Sequence, residues 1–142
     1  ALAKNNKTTI KGVDSTAQSN EAIDAAHYLN KEFGSIVCIS GETDIIVSSR
    51  QIIYVHNGST MMTKVTGLGC SASAVLGAFI GGIEHKLEAV IASTVLFSIA
   101  GEIAASQAAG PGSLQVNLLD KLYNISEEEI KRCVKIEIKN AE

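Results

Sequence analysis

The run Lys64 to Gly82, KVTGLGCSASAVLGAFIGG, restricts the fold more than any other stretch of the chain. A short apolar approach from Met61 to Val65 enters Thr66-Gly67-Leu68-Gly69-Cys70, and an unbroken run of small residues follows. Two glycines one residue apart permit a tight turn and present N–H groups that no side chain screens. The spacing predicts a helix over about 71–83, whose leading N–H groups and positive dipole end face the same point. Strand, glycine turn and helix N-terminus in that order make a place for an anion, most often phosphate. Gly67-Leu68-Gly69 is neither the six-position dinucleotide fingerprint nor a P-loop, because no Gly-Lys-Ser/Thr follows. Turns of this kind also serve simply to pack a helix against a strand. Cys70 adds chemistry: a nucleophilic side chain stands in the last position of the turn, where the dipoles converge.

The rest of the chain fits an α/β protein. Its 142 residues suffice for one domain with a proper core, and 46% are hydrophobic while only 4% are aromatic. Small and β-branched residues in that proportion suit close packing of helices on a sheet. The net charge is −3 and no Lys/Arg cluster occurs, which argues against nucleic acid as a partner. The longest apolar run, Ala89 to Ala100, is interrupted by Ser93, Thr94 and Ser98, and reads as too short to cross a bilayer. No secretory leader pattern is recognisable, so the expectation is a cytoplasmic protein. Cys38, Cys70 and Cys133 show no zinc-site spacing. An odd count without pattern fits a reducing compartment. Cys38 reads as a small core residue, Cys133 as part of a terminal helix, and only Cys70 has an electropositive setting.

The order of elements follows from periodicity. The opening Ala1-Leu2-Ala3-Lys4 has no initiator Met and reads as the tail of a helix, which suggests a piece of a longer chain. Gly12 to Thr16 is a polar loop whose Asp14 and Ser15 suit local backbone bonds. A helix is expected from about Ser19 to Phe33, stopped by Gly34, with His27 on its flank. Ile36 to Ser40 is apolar on consecutive positions, as in a central strand buried on both faces. The turn Ser40-Gly41-Glu42 ends it, and ligands gather beyond the carboxyl ends of such strands. Asp44–Ser48 and Gln51–His56 read as two strands near the sheet edge, with His56 an edge residue and Asn57-Gly58 a further turn. A long buried helix is expected over about Leu87–Ala108. Gly110-Pro111-Gly112 then breaks the chain before a short helix around Leu118–Leu122. Ser126 to Glu129 is a capping box opening the last helix, and Lys135 to Ile138 alternates into a frayed end.

These motifs together carry a resemblance. Ser40-Gly41-Glu42-Thr43-Asp44, Asn57-Gly58, Thr66 to Ala74 with its Gly67-Leu68-Gly69-Cys70, and Gly110-Pro111-Gly112-Ser113 followed by Leu118 to Tyr123 resemble the hydroxyethylthiazole kinases. Lys11 to Ser15 also fits. The likeness spans essentially the whole chain and corresponds to the C-terminal half of that family. It implies a ribokinase-like three-layer α/β/α fold with a mostly parallel central sheet, residues 1–142 forming the C-terminal part of a single kinase domain. It also implies ATP-dependent phosphorylation of the primary alcohol of 4-methyl-5-(2-hydroxyethyl)thiazole, with Mg²⁺, in a cytoplasmic homotrimer of thiamine biosynthesis.

By the same resemblance Cys70 stands beside the reacting hydroxyl, where the wider ribokinase-like group has an Asp as base. Gly67 matches a glycine that contacts the thiazole, while Ser40 and Gly69 match ATP contacts. Ser40 replaces the usual Thr and keeps the hydroxyl. Leu68 departs from the Thr or Ala more usual between the glycines, and Leu114 stands where Phe is common. The family's metal-associated acidic residue and an ATP-contacting Arg correspond to nothing in this sequence. Other readings are a different ribokinase-like kinase, for which Asp at position 70 is expected, a non-catalytic nucleotide- or thiazole-binding domain, and a thiol redox protein.

Overall fold

A computed structural model describes residues 16–141. The polar loop at Gly12–Ser15 and the opening residues Ala1–Lys4 lie outside the described residues. The chain divides into two units, residues 1–54 with 138–142, and residues 55–137.

The first unit contains helix α1 (Thr16–Phe33) and strands β1 (Val37–Ile39), β2 (Asp44–Val47) and β3 (Gln51–Val55), with the end of β4 (Ile136–Asn140). α1 stops where Gly34 takes φ +63°, a left-handed conformation that costs glycine little. Gly34 N–H returns to the Asn30 carbonyl at 2.8 Å, and the Asn30 amide donates to the Ser35 carbonyl at 2.6 Å. Ala26 and Ile23 of α1 pack on Ile45 and Val47 of β2, joined by Val37, Ile39, Ile52 and Tyr54. Ile46 and Ile53, on the other face of the strands, are also fully buried.

The sheet runs in the order β1-β2-β3-β4. β1 pairs antiparallel with β2, Val37 opposite Val47 and Ile39 opposite Ile45. The expectation of a mostly parallel sheet with Ile36–Ser40 at its centre is therefore overturned: this small sheet is antiparallel and β1 lies at its end. The cause is the short connection, since only residues 40–43 separate β1 from β2. Parallel neighbours need a crossover of a dozen or more residues. Cys38, opposite Ile46, is exposed rather than a core residue. β2 and β3 form the expected hairpin, closed by Ser48 N–H on the Gln51 carbonyl at 2.9 Å, but they are the inner strands of the sheet rather than near its edge. The alternating segment near Lys135 is β4, and Ala141 N–H reaches the Arg50 carbonyl at 2.9 Å.

The second unit is helical. A 3₁₀ turn (Thr60–Lys64) leads to α2 (Leu68–Gly82), α3 (Lys86–Ser106), α4 (Pro111–Asn124) and α5 (Glu127–Cys133). Its core joins Val65, Leu68, Phe97, Ala100, Ala104, Leu114 and Leu118. α3 is long and apolar enough by length and composition to cross a membrane. It is the core helix of this unit, with Phe97, Ala100 and Ala104 packed in that cluster. Pro111 starts α4 at its first position, where the missing N–H is no loss. The hydroxyl of Ser113 accepts from the N–H groups of Ala109 and Gly110 at 3.0 and 3.2 Å. The break expected at Gly110–Gly112 is thus a helix start. α5 opens on the expected capping box, Ser126 with Glu129.

Candidate functional site

The glycine turn is sharper than its spacing suggests. Gly67 alone makes it, at φ 88° and ψ −2°, and α2 begins at Leu68 rather than near Ser71. Gly69 and Cys70 therefore belong to the first helical turn. The first bond of the helical ladder runs from Ser71 N–H to the Gly67 carbonyl at 3.0 Å. The N–H groups of Leu68, Gly69 and Cys70 precede that ladder and point out of the helix end. Gly67 offers them no side-chain cap. A Cβ built on Gly69 would meet no atom within 4 Å.

Side chains around the turn separate by polarity. Leu68 is buried in the cluster with Phe97 and Leu114, so it turns away from the N–H groups and anchors α2 from behind. Gly67, Gly69 and Cys70 are exposed, and Cys70 is a free thiol in the first turn of the helix. The structure thus brings Gly67, Gly69 and Cys70 to one helix N-terminus, where a dipole equivalent to roughly half a charge attracts anions. Ser40 lies in the first unit. It is exposed and follows β1, in the loop to β2 that Gly41 N–H closes on the Asp44 carboxylate at 3.1 Å. Its loop joins two antiparallel strands, not the end of a buried parallel strand.

A polar node in the second unit escaped the sequence reading. Glu102 on α3 accepts through Oε2 from the Asn57 side chain at 2.9 Å and from Gly58 N–H at 3.2 Å. Through Oε1 it accepts from Lys135 Nζ at 2.7 Å. Asn57 is buried, donates to the Cys133 carbonyl at 2.8 Å and accepts from Lys135 N–H at 2.8 Å. Burial pushes the Glu102 carboxyl upward, but the hydrogen bonds from Lys135, Asn57 and Gly58 and the Lys135 charge outweigh it and hold the group below its ordinary value. The signal was present in the sequence: Glu102 is the one charged residue of α3 beyond its first turn. Among the described residues no group of three or more His, Cys, Asp or Glu side chains is placed to hold a metal ion.

Helices and a small sheet, with an uncapped helix N-terminus and a thiol in its first turn, define an α/β protein. The family profile described as the hydroxyethylthiazole kinase family matches residues 1–128. The hydroxyethylthiazole kinase of Syntrophus aciditrophicus is 49% identical over 126 residues, covering 89% of this chain and 47% of that protein. That of Vibrio parahaemolyticus is 47% identical over 130 residues, covering 91% of this chain and 48% of its own. The solved structure of the hydroxyethylthiazole kinase protein from Pyrococcus horikoshii superposes with a TM-score of 0.79 at 33% identity, over 87% of this chain and 48% of that one. The chain belongs to the hydroxyethylthiazole kinase family. It spans about half the length of the curated relatives it matches.

Proposed function

We propose that this chain is the C-terminal part of a ribokinase-like kinase domain that phosphorylates the hydroxyl of 4-methyl-5-(2-hydroxyethyl)thiazole from ATP. The observation that carries the reading is the left-handed Gly67 before an uncapped α2 with Cys70 exposed in its first turn, in a chain this close to enzymes of that name. Phosphoryl transfer depends chiefly on positioned dipoles that meet charge spread over the phosphoryl oxygens. In this reading the N–H groups of Leu68, Gly69 and Cys70 receive those oxygens. Cys70 takes the proton of the attacking alcohol, Gly67 lies against the thiazole, and the Ser40 hydroxyl contacts ATP.

Mg²⁺ belongs to the same reading, in which it would supply neutralisation of the phosphate charge when bound. Among the described residues no three or more His, Cys, Asp or Glu side chains gather to hold it, although Mg²⁺ takes only one or two carboxylates beside substrate phosphates. Its holding carboxylate and an ATP-contacting Arg belong to the half of the family's length that this sequence does not cover. Assembly as a cytoplasmic homotrimer with thiazole sites between neighbours completes the proposal.

The test is complementation. Residues 1–142 alone should form no thiazole phosphate from ATP, and adding the other half of the enzyme, fused or as a second chain, should restore it. Full turnover by residues 1–142 alone would place the metal carboxylate within this sequence, with Asp14 and Glu42 the first to examine. Binding of thiazole or nucleotide without product from the completed protein would instead favour a non-catalytic binding domain.

A further inference from the structure

The 3₁₀ turn Thr60–Lys64 that leads into Gly67 buries none of its residues fully. Its Met61 and Met62 are partly buried against the core cluster, and both of its ends are held as well. At the far end Val65 and Leu68 are fixed in the core against α3 and α4. At the near end the hold is polar. Asn57 and Gly58 both donate to one oxygen of Glu102, at 2.9 and 3.2 Å. One position earlier on α3, Gly101 is buried with Met62 lying across it. A Cβ at Gly101 would collide with both the Cε and the Sδ of Met62. A single turn of α3 thus grips residues 57–62 by a carboxylate and by a bare backbone surface.

The two oxygens of Glu102 have separate partners. Oε2 holds the Asn57-Gly58 turn, whereas Oε1 meets Lys135 Nζ at 2.7 Å, on a side chain that is 56% exposed. A surface ion pair of that kind contributes little to stability. A carboxylate on a helix otherwise uncharged beyond its first turn carries a desolvation cost that an apolar residue would avoid. The bonds it makes to the Asn57 amide and the Gly58 N–H are what distinguish it from such a residue.

We propose that Glu102 is a positioning residue for the proposed phosphoryl transfer, fixing through the Asn57-Gly58 turn where the chain delivers Gly67 and the open N–H groups of α2. The inference rests on the kinase reading above, but its structural half can be tested without it. Misplacing reacting groups by about 1 Å lowers turnover by roughly 10²-fold.

The experiment compares Glu102→Ala, Glu102→Gln, Glu102→Asp and Lys135→Met in the complete kinase containing this chain. It measures kcat and KM for thiazole and ATP, and the ¹H–¹⁵N positions of Leu68, Gly69 and Cys70. Glu102→Ala should lower kcat by at least about 10-fold with smaller changes in KM, and should shift the three amides. Glu102→Gln keeps an acceptor for the turn and should recover most of kcat. Lys135→Met loses only the ion-pair arm and should leave kcat and amides near wild type. Should Glu102→Ala fail to fold, Glu102→Asp decides, because it keeps the charge but withdraws the acceptor by one methylene. Its kcat should fall and the same amides should move. Unmoved amides and undiminished kcat in Glu102→Asp or Glu102→Ala would overturn the proposal, as would equal losses in Lys135→Met. Shifted amides in a wild-type background that makes no thiazole phosphate would uphold the positioning while removing the kinase reading.

Discussion

Gly67 and Gly69 stand two residues apart and should respond in opposite ways to the same substitution. Gly67 lies at φ 88°, and a Cβ there would meet nothing within 4 Å, so Gly67→Ala brings backbone strain without a clash. That strain costs about 1–2 kcal/mol for an L-residue. Gly69 is helical and equally uncrowded, so Gly69→Ala strains nothing. Both substitutions stiffen the unfolded chain to a similar degree, by about 0.4–1 kcal/mol. The difference between the two variants therefore isolates the left-handed strain at Gly67. With a urea dependence of about 1–3 kcal/mol per molar, the midpoints should lie on the order of 1 M apart, Gly69→Ala the more stable. Urea denaturation followed by circular dichroism measures this directly. Coincident midpoints, or Gly67→Ala the more stable, would refute the argument that Gly67 makes the turn by its conformation alone. The same pair bears on function, because the Gly69 methyl would project into open space. Loss of nucleotide binding in a fully stable Gly69→Ala would show that a ligand occupies that space.

Further outcomes follow from the helical unit. Leu118 is 2% exposed within the cluster that also anchors Leu68, so Leu118→Ala should destabilise by about 2–5 kcal/mol in calorimetry; a loss below that range would mean the site collapses around the deletion. Ser126→Ala removes the acceptor of Glu129 N–H at 3.2 Å and should cost about 1 kcal/mol, with α5 fraying first in hydrogen exchange. Glu129 is held below its ordinary 4.5 by the Ser126 N–H, then by Lys121. Its folded-state affinity for protons is lowered, so its contribution is present above that value and disappears as pH falls through the depressed one. The advantage of wild type over Glu129→Gln should therefore shrink in acid below pH 4.5 and be constant above it; an advantage that persists unchanged in acid would contradict the assignment.

How much of this was legible in the sequence varied with the kind of signal. Periodicity located α1 and α3 to within a few residues, and the capping box at Ser126 opened α5 as expected. Two hairpin-forming segments were visible at Asp44–Ser48 and Gln51–His56, and the strands run over Asp44–Val47 and Gln51–Val55. The sheet's direction was misjudged because the apolar run Ile36–Ile39 indicates burial, not the identity of its neighbour. The four-residue connection after Ile39 held the answer, since it permits only an antiparallel partner. At the candidate site the pattern of two glycines and a cysteine was readable. It did not reveal that one glycine makes the turn while the other joins the helix. That division depends on Leu68 being drawn into a core formed by residues far along the chain, Phe97, Leu114 and Leu118. The Glu102 node joins Asn57 to Lys135 across most of the helical unit, and no local spacing announces it.

In the proposed function Cys70, at the open end of α2, takes part in thiazole phosphorylation. Steady-state kinetics of Cys70→Ala in the complete enzyme test it most directly, with ATP and 4-methyl-5-(2-hydroxyethyl)thiazole as substrates. General-base assistance is worth roughly 10²–10⁴-fold. The expected result is a fall in kcat within that range, little change in KM for ATP, and substantial activity in Cys70→Asp. An undiminished kcat in Cys70→Ala would contradict it and leave Cys70 a bystander on the helix.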